Sequence, residues 1–313
     1  MSDGGKPVPP IAELRPLAQG DKVMNDRRWS YRIFRVVSIR VTWALLHTSI
    51  SANTVTWISL LVAAVGLVVT AAGVGGGFVV GIVLLFVYHL LDRVDGELAR
   101  ARNQHSLIGI YLDNVGHYAT FGITIPAAAV AFFRWSSLHD GVYRPEAAAV
   151  AVLVLGFVGG ISMAIGRTAK LSGFQMFAQY VVERPELLET VARHDTRFSR
   201  AAVKRSRAEG GAGRRGTADR LRDLILAWTQ YPSVIAVLLV GGVASWLTGD
   251  TTYLGLAVVV QSLSQGAAWV AVEALNLRGN LGSEVYRLWD ETRRTMELTE
   301  LAVEDDASID QDA

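Results

Sequence analysis

The chain comprises 313 residues, 51% of them hydrophobic, with no cysteine and a formal net charge of +1; its mean hydropathy is +0.30. So apolar a composition, gathered in blocks, excludes an ordinary soluble domain and points to an integral membrane protein. The missing cysteines exclude a disulfide framework and a thiolate metal site, and the small net charge conceals charges segregated along the chain.

Residues 1 to 20, rich in Pro and Gly, are expected to form a disordered tail. No short apolar stretch with a small-residue cleavage site follows, so no cleaved secretory signal is expected. Over 21–48, Trp29, Ile33 and Val36 share one helical face while Arg27, Arg28, Arg32 and Arg35 dominate the rest. That pattern predicts an amphipathic helix lying along an anionic membrane surface; a helix packed on the flank of a soluble domain would show a similar one. Six apolar segments long enough to span a bilayer follow, near 53–72, 78–99, 107–133, 146–169, 231–248 and 252–275. The expected fold is therefore all-α, an integral membrane bundle of six transmembrane helices with an N-terminal interfacial amphipathic helix. Gly73, Gly75, Gly76 and Gly77 read as a tight turn, since no lysine follows as in a phosphate-cradling loop.

Lys and Arg crowd the N-terminal segment, the turn at Arg100 and Arg102, the connection 172–230 and the C-terminal tail. The alternate set of connections is nearly bare, with Arg134 and Arg144 its only cations. By the positive-inside rule both termini lie in the cytoplasm of what reads as a bacterial plasma membrane. The stretch 200–222 carries Lys204, Arg205, Arg207, Arg214 and Arg215 without interleaved aromatics, which favours contact with anionic lipid over nucleic acid. From 280 to 313 the pattern predicts a cytoplasmic helix around Val285, Leu288, Trp289 and Met296, then an acidic tail.

The join between the second and third spans carries the chemistry. Asp92 and Asp95 lie three apart on one helix face, with Gly96 beside them; Gly109, Asp113 and His117 recur at four-residue steps on the next helix. Acids at a membrane boundary are costly, and several together repel unless a cation lies between them. Two divalent ions held by Asp92, Asp95 and Asp113 satisfy that demand, with oxygen ligands suited to Mg²⁺ or Mn²⁺.

The run D-x2-D-G-x2-A-R-x8-G-x3-D-x3-H resembles the signature of the CDP-alcohol phosphotransferase family. Asp92, Asp95, Gly96, Ala99, Arg100, Gly109 and Asp113 match at the family's spacing. The segment Ser51 to Thr56 also resembles the Pro-Asn-x-x-Thr-like start of the family's first span, with Ala52 in place of proline. The resemblance implies a six-helix, usually homodimeric, enzyme with a dinuclear metal site open to the cytoplasm. Such enzymes displace CMP from a CDP-linked donor and join a substituted phosphate to an acceptor alcohol, as in phospholipid synthesis. It further implies metal ligation by Asp92, Asp95, Asp113 and the residue at 117, and a nucleotide site at Gly96, Ala99, Arg100, Gly109, Asn53 and Thr56. Its partners would be a CDP-linked lipid or alcohol, an acceptor alcohol and membrane lipid, not nucleic acid.

His117 stands where the family carries a fourth aspartate, taken there as both metal ligand and general base. Imidazole can bind metal or accept a proton, yet brings no negative charge. His117 is thus a catalytic candidate beside Asp113; the alternatives are a contact to an altered acceptor, or the mark of a weakened enzyme that retains CDP-lipid binding. A transporter with acids along an ion path is a further alternative, although no charge crosses the midplane of a span. Arg167 and Lys170, at the inner end of the fourth span, suit a phosphate on the acceptor or simple positive-inside anchoring. His89 fits either a partner to a metal ligand or a packed core histidine, and Gln261, Ser264 and Gln265 a hydrogen-bonded seam between helices.

Overall fold

The structure is a computed structural model and describes residues 8–19, 29–104, 107–139, 142–143, 146–182 and 228–275. Among these are eight helices: α1 (Ile11–Ala18), α2 (Trp29–Leu46), α3 (Ala52–Ala72), α4 (Gly76–Ala101), α5 (Leu107–Ser137), α6 (Ala147–Val182), α7 (Tyr231–Thr248) and α8 (Thr252–Leu275). A two-residue antiparallel ladder, β1 (Leu138–His139) on β2 (Val142–Tyr143), lies between α5 and α6. Six of the helices, α3 to α8, are long and apolar enough to cross a membrane. The predicted all-α, six-span architecture is thereby met.

Two boundaries differ from expectation. The fourth span was to end at 169, but α6 continues to Val182, because cations such as Arg167 and Lys170 end a membrane crossing without ending a helix. The N-terminal tail was to be disordered throughout, yet Ile11–Ala18 is helical despite Pro16. Burial overrides propensity there: Leu14 and Ala18 pack against Ile39 of α2, all three essentially without exposure. The basic stretch 200–222 and the proposed helix of 280–313 lie outside the described residues.

The chain divides into two compact units, residues 1–164 with 224–268, and residues 165–223 with 269–313. The first holds the core, in which Phe78, Ile82 and Leu85 of α4 meet Ile125, Ala128 and Phe132 of α5, Val234, Ile235 and Leu238 of α7, and Leu254 and Val258 of α8. Large apolar side chains such as Leu61, Val68, Val154, Val240 and Leu247 point outward, as side chains do that face lipid rather than water. Of the second unit, the described residues are the ends of α6 and α8.

Without a hydrophobic drive between helices in lipid, close backbone approach through small residues does the packing. Gly81 of α4 faces the backbone of Thr70 on α3, and Gly156 of α6 faces Ala129 of α5 and Val258 of α8. A methyl group on Gly81 would overlap the Thr70 main chain. The Gly81→Ala variant is expected to lose about 1–3 kcal/mol of stability, read as a lower midpoint of thermal unfolding in detergent.

Polar contacts secure the connections around the C-terminal end of α4. Arg102 donates to the carbonyls of Leu45 (3.1 Å), Thr48 (2.7 Å) and Ile50 (2.5 Å), closing the end of α2 onto α4. Ser51 caps α3 by accepting the Thr54 N–H at 3.1 Å. α4 ends in a Schellman motif: the Gln104 N–H donates to Ala99 O and the Asn103 N–H to Arg100 O. Asn103 has φ 52°, a left-handed conformation that asparagine tolerates, and the chain turns there as the sequence indicated. The expected seam on α8 is thinner than its spacing suggests. Gln265 donates to Thr229 O at 3.3 Å, Ser264 bonds within its own helix, and the buried Gln261 amide has no hydrogen-bond partner among the described residues.

Candidate active site

Four carboxylates sit on two turns of α4 and one of α5, and they separate into three environments. Asp92 on α4 and Asp113 and His117 on α5 each offer one ligand atom within 4.8 Å of the others. Asp95 stands outside this close set because Thr56 of α3 donates its hydroxyl to Asp95 Oδ2 at 2.7 Å; Asp95 is 7% exposed. Glu97, which sequence reasoning passed over as a variable position, is 3% exposed. Its carboxylate accepts from Gln19 Nε2 (2.8 Å) and Ser38 Oγ (2.6 Å) on Oε1, and from Thr42 Oγ1 (2.8 Å) on Oε2.

His117 is held on both sides. Its Nδ1 lies 2.7 Å from the carbonyl oxygen of Asp113. A carbonyl can only accept, so Nδ1 carries the proton and donates. Nε2 is thereby turned toward the acids, 3.4 Å from Asp92 Oδ2. The ring meets Phe121 edge-on at 5.0 Å between centroids, and Phe121 stacks on Tyr231 at 4.1 Å. An Nε2 lone pair facing a carboxylate oxygen requires a cation between or upon them, a proton or a metal. The same Nδ1-to-carbonyl bond is the usual device that aims a histidine's other nitrogen at a metal.

The donor set fits a divalent ion. Ligand oxygens at about 2.0–2.6 Å from one ion lie at most about 5 Å apart, and the Asp92, Asp113 and His117 atoms fall inside that limit. Two carboxylates and an imidazole suit a divalent ion, with Asp113, the most exposed of the three, open on its outer side.

Beside this cluster lies a cavity of about 350 Å³, in the range of small-molecule pockets. Its lining brings together residues far apart in sequence: Asn53 and Thr56 of α3, Asp92, Asp95, Gly96, Ala99 and Arg100 of α4, and Gly109 and Asp113 of α5. Every position that the sequence marked for nucleotide binding is therefore on one wall or another. Two of them do more local work than expected. Thr56 bonds Asp95, and Gly96 makes room for Arg100, whose Nη1 would stand 3.3 Å from any β-carbon there. Arg100 Nε donates to Ala18 O at 2.5 Å, which fixes the plane of the guanidinium.

Gln19 and Arg35 also line the cavity, and sequence reasoning missed both. No local signal could have revealed Gln19; Arg35 was noted only as one of several surface cations. For Glu97 a signal existed, an acid among apolar residues one step from the motif glycine. His89 resolves as a packed histidine, 5% exposed, edge-on to Phe34 and Tyr231 and 3.2 Å from Arg93 Nη2. The side chains of Arg167 and Lys170 lie outside the described residues.

No curated protein matches the chain significantly. The family model described as CDP-alcohol phosphatidyltransferase matches residues 49–184, which contain α3 to α6 and with them both Asp92–Arg100 and Gly109–His117. Over this segment the chain is similar to the CDP-alcohol phosphatidyltransferase family.

Proposed function

We propose that the protein transfers a substituted phosphate from a CDP-linked donor, CDP-diacylglycerol, to an acceptor alcohol and releases CMP in phospholipid or related lipid synthesis. One observation carries this reading: the Asp92–Asp113–His117 cluster stands at the edge of the cavity lined by Asn53, Gly96, Ala99, Arg100 and Gly109. The family's chemistry, phosphate transfer from a CDP-alcohol, supports it. The catalytic unit is the six-span domain of residues 49–279, a homodimer with the site and both termini cytoplasmic. Arg167 and Lys170, just past the membrane-crossing part of α6, would receive a phosphate on the acceptor.

Asp92, Asp95, Asp113 and His117 would hold two Mg²⁺ or Mn²⁺ ions, Asp95 after exchanging its bond from Thr56. When bound, such ions neutralise the donor's diphosphate and polarise the phosphorus under attack. The remaining steps belong to the chain. Arg100 presents its oriented guanidinium to the diphosphate. Gly96 and Ala99 keep the α4 wall free of bulk where the cytidine lies. The acceptor oxygen bonds to the phosphorus that bears the lipid group, the bond from that phosphorus to the CMP oxygen breaks, and CMP departs. His117 Nε2, aimed inward by its Nδ1 bond, has one lone pair and serves one role at a time, either ligating an ion or taking the acceptor's proton.

Purified protein incubated with CDP-diacylglycerol, Mn²⁺ or Mg²⁺ and a panel of alcohols (glycerol phosphate, inositol phosphate, serine, sugars, lipid alcohols) is expected to release CMP with at least one acceptor. Release should stop on chelation and return on adding metal. No CMP with any acceptor or either ion would refute the transferase reading and leave a silent CDP-lipid binder or a transporter.

A further inference from the structure

We infer that α1 and α2, which precede the family-matched segment, form a wall of the donor pocket, with Arg35 a contact for the donor's diphosphate and Glu97 the positioning residue that fixes this wall. The inference rests on the proposed function for the identity of the ligand, and on geometry for the rest.

Three observations converge. First, the cavity beside the acid cluster is lined by Gln19 and Arg35 as well as by the motif residues. Second, α1 and α2 are attached to the catalytic helix through polar groups rather than through apolar packing alone. Glu97 receives Gln19, Ser38 and Thr42, one side chain next to α1 and two from α2, at 2.6–2.8 Å. Arg100, one turn further along α4, donates to Ala18 O. Third, Gln19 Nε2 is shared: it donates to Glu97 Oε1 and to the carbonyl of Arg35, both at 2.8 Å. Glu97 therefore reaches Arg35 through a single bridging amide.

The chemistry gives this arrangement a direction. A buried carboxylate with three side-chain donors is fully satisfied, which is the condition under which burying it is tolerable. An apolar residue at 97 would hold two packed helices together with less desolvation cost. What the carboxylate adds is a fixed register between α4 and the segment bearing Gln19 and Arg35. The cations that this register brings to the cavity are Arg35 and Arg100, which both line it. Two guanidiniums at one opening, next to acids suited to metal, match a diphosphate bridging both. The polar inward face of α2, Ser38 and Thr42, is explained at the same time: it is buried because it meets Glu97, while Ile33, Val36 and Val37 remain on the outside.

The test uses full-length protein in detergent, CDP with Mn²⁺ as the probe, and calorimetric affinity beside steady-state kinetics. Arg35→Ala and Glu97→Ala are each expected to weaken CDP binding by about tenfold and to raise the donor KM similarly, as loss of a charge-assisted contact does. The acceptor KM and kcat should change far less. Glu97→Gln keeps an acceptor for Gln19 and Ser38 and can donate to Thr42, so it should stay within about threefold of the parent protein. The double variant Glu97→Ala/Arg35→Ala should bind no more weakly than the worse single variant, because both act through one contact. Should Glu97→Ala prove unstable, Gln19→Ala removes the bridging amide alone and is expected to give the same donor-specific loss. Parent protein that binds CDP while Arg35→Ala and Gln19→Ala bind it equally well would overturn this inference alone. A loss that falls equally on donor and acceptor, or additive losses in the double variant, would reduce Glu97 to a packing role and overturn it also. Parent protein that neither binds CDP nor releases CMP would overturn the proposed function, and the assigned ligand with it.

Discussion

Asp113→Asn and Asp92→Asn are each expected to lower CMP release by roughly three orders of magnitude, beyond the 10- to 100-fold that accompanies loss of an outer partner of a metal ligand. The expectation follows from where the charges stand. Asp92, Asp113 and His117 present their ligand atoms within 4.8 Å, and two of the three are carboxylates. Converting either to an amide keeps its shape and removes half of the site's anionic ligand charge in that cluster. The loss should appear as a rightward shift of the Mn²⁺ activation curve as well as a lower maximum. Protein folding should be unaffected, because removing one of two neighbouring like charges relieves repulsion, so the variants should melt no lower than the parent in the absence of metal. A chelator titration gives the complementary reading. Variants that retain parent-like activity and metal dependence would remove these aspartates from the site and with them the proposed chemistry.

Much of this molecule is legible in its sequence, and the reason is physical. A span announces itself by length and apolarity because lipid satisfies no backbone polar group, so α3 to α8 fell within a few residues of their predicted bounds except at the inner end of α6. The acids on α4 and α5 were legible because their helical spacing fixes which face they share; Asp92, Asp113 and His117 needed only the two helices to meet. What the sequence could not reveal was division of labour among similar groups. Asp95 is withdrawn toward α3 by the Thr56 hydroxyl, 39 residues away, and Glu97 is engaged by partners 55 to 78 residues distant. Neither choice is encoded in local periodicity. The short helix α1 is illegible for a related reason. Pro16 and a length of eight residues argue against it, and what stabilises it is distant in sequence: Leu14 and Ala18 packing on Ile39, and Arg100 donating to Ala18 O.

His117 is the position at which a single substitution distinguishes mechanisms. Its Nδ1 proton is committed to the Asp113 carbonyl and its Nε2 faces Asp92, so the group that acts on substrate or metal is Nε2. His117→Ala removes both functions and is expected to reduce kcat by about 10²–10⁴-fold, the usual contribution of a general base. His117→Gln separates them further: an amide oxygen can occupy the Nε2 position as a neutral ligand but cannot take a proton, so kcat should fall as far as in His117→Ala while the Mn²⁺ requirement stays near that of the parent. His117→Asp restores a carboxylate base and adds a negative charge beside Asp92 and Asp113. Metal should then bind more tightly, with half-maximal activation at lower Mn²⁺, and turnover should return to within about tenfold of the parent or exceed it. The metal-free His117→Asp protein should be less stable, since a third carboxylate joins the cluster without a counter-charge, and Mn²⁺ should raise its melting temperature more than it raises the parent's. Turnover unchanged in His117→Ala would take the imidazole out of the reaction altogether, leaving Asp113 as the base. Turnover abolished in His117→Asp, with metal bound tightly, would mean instead that the neutral ring is required for the acceptor this enzyme has come to use.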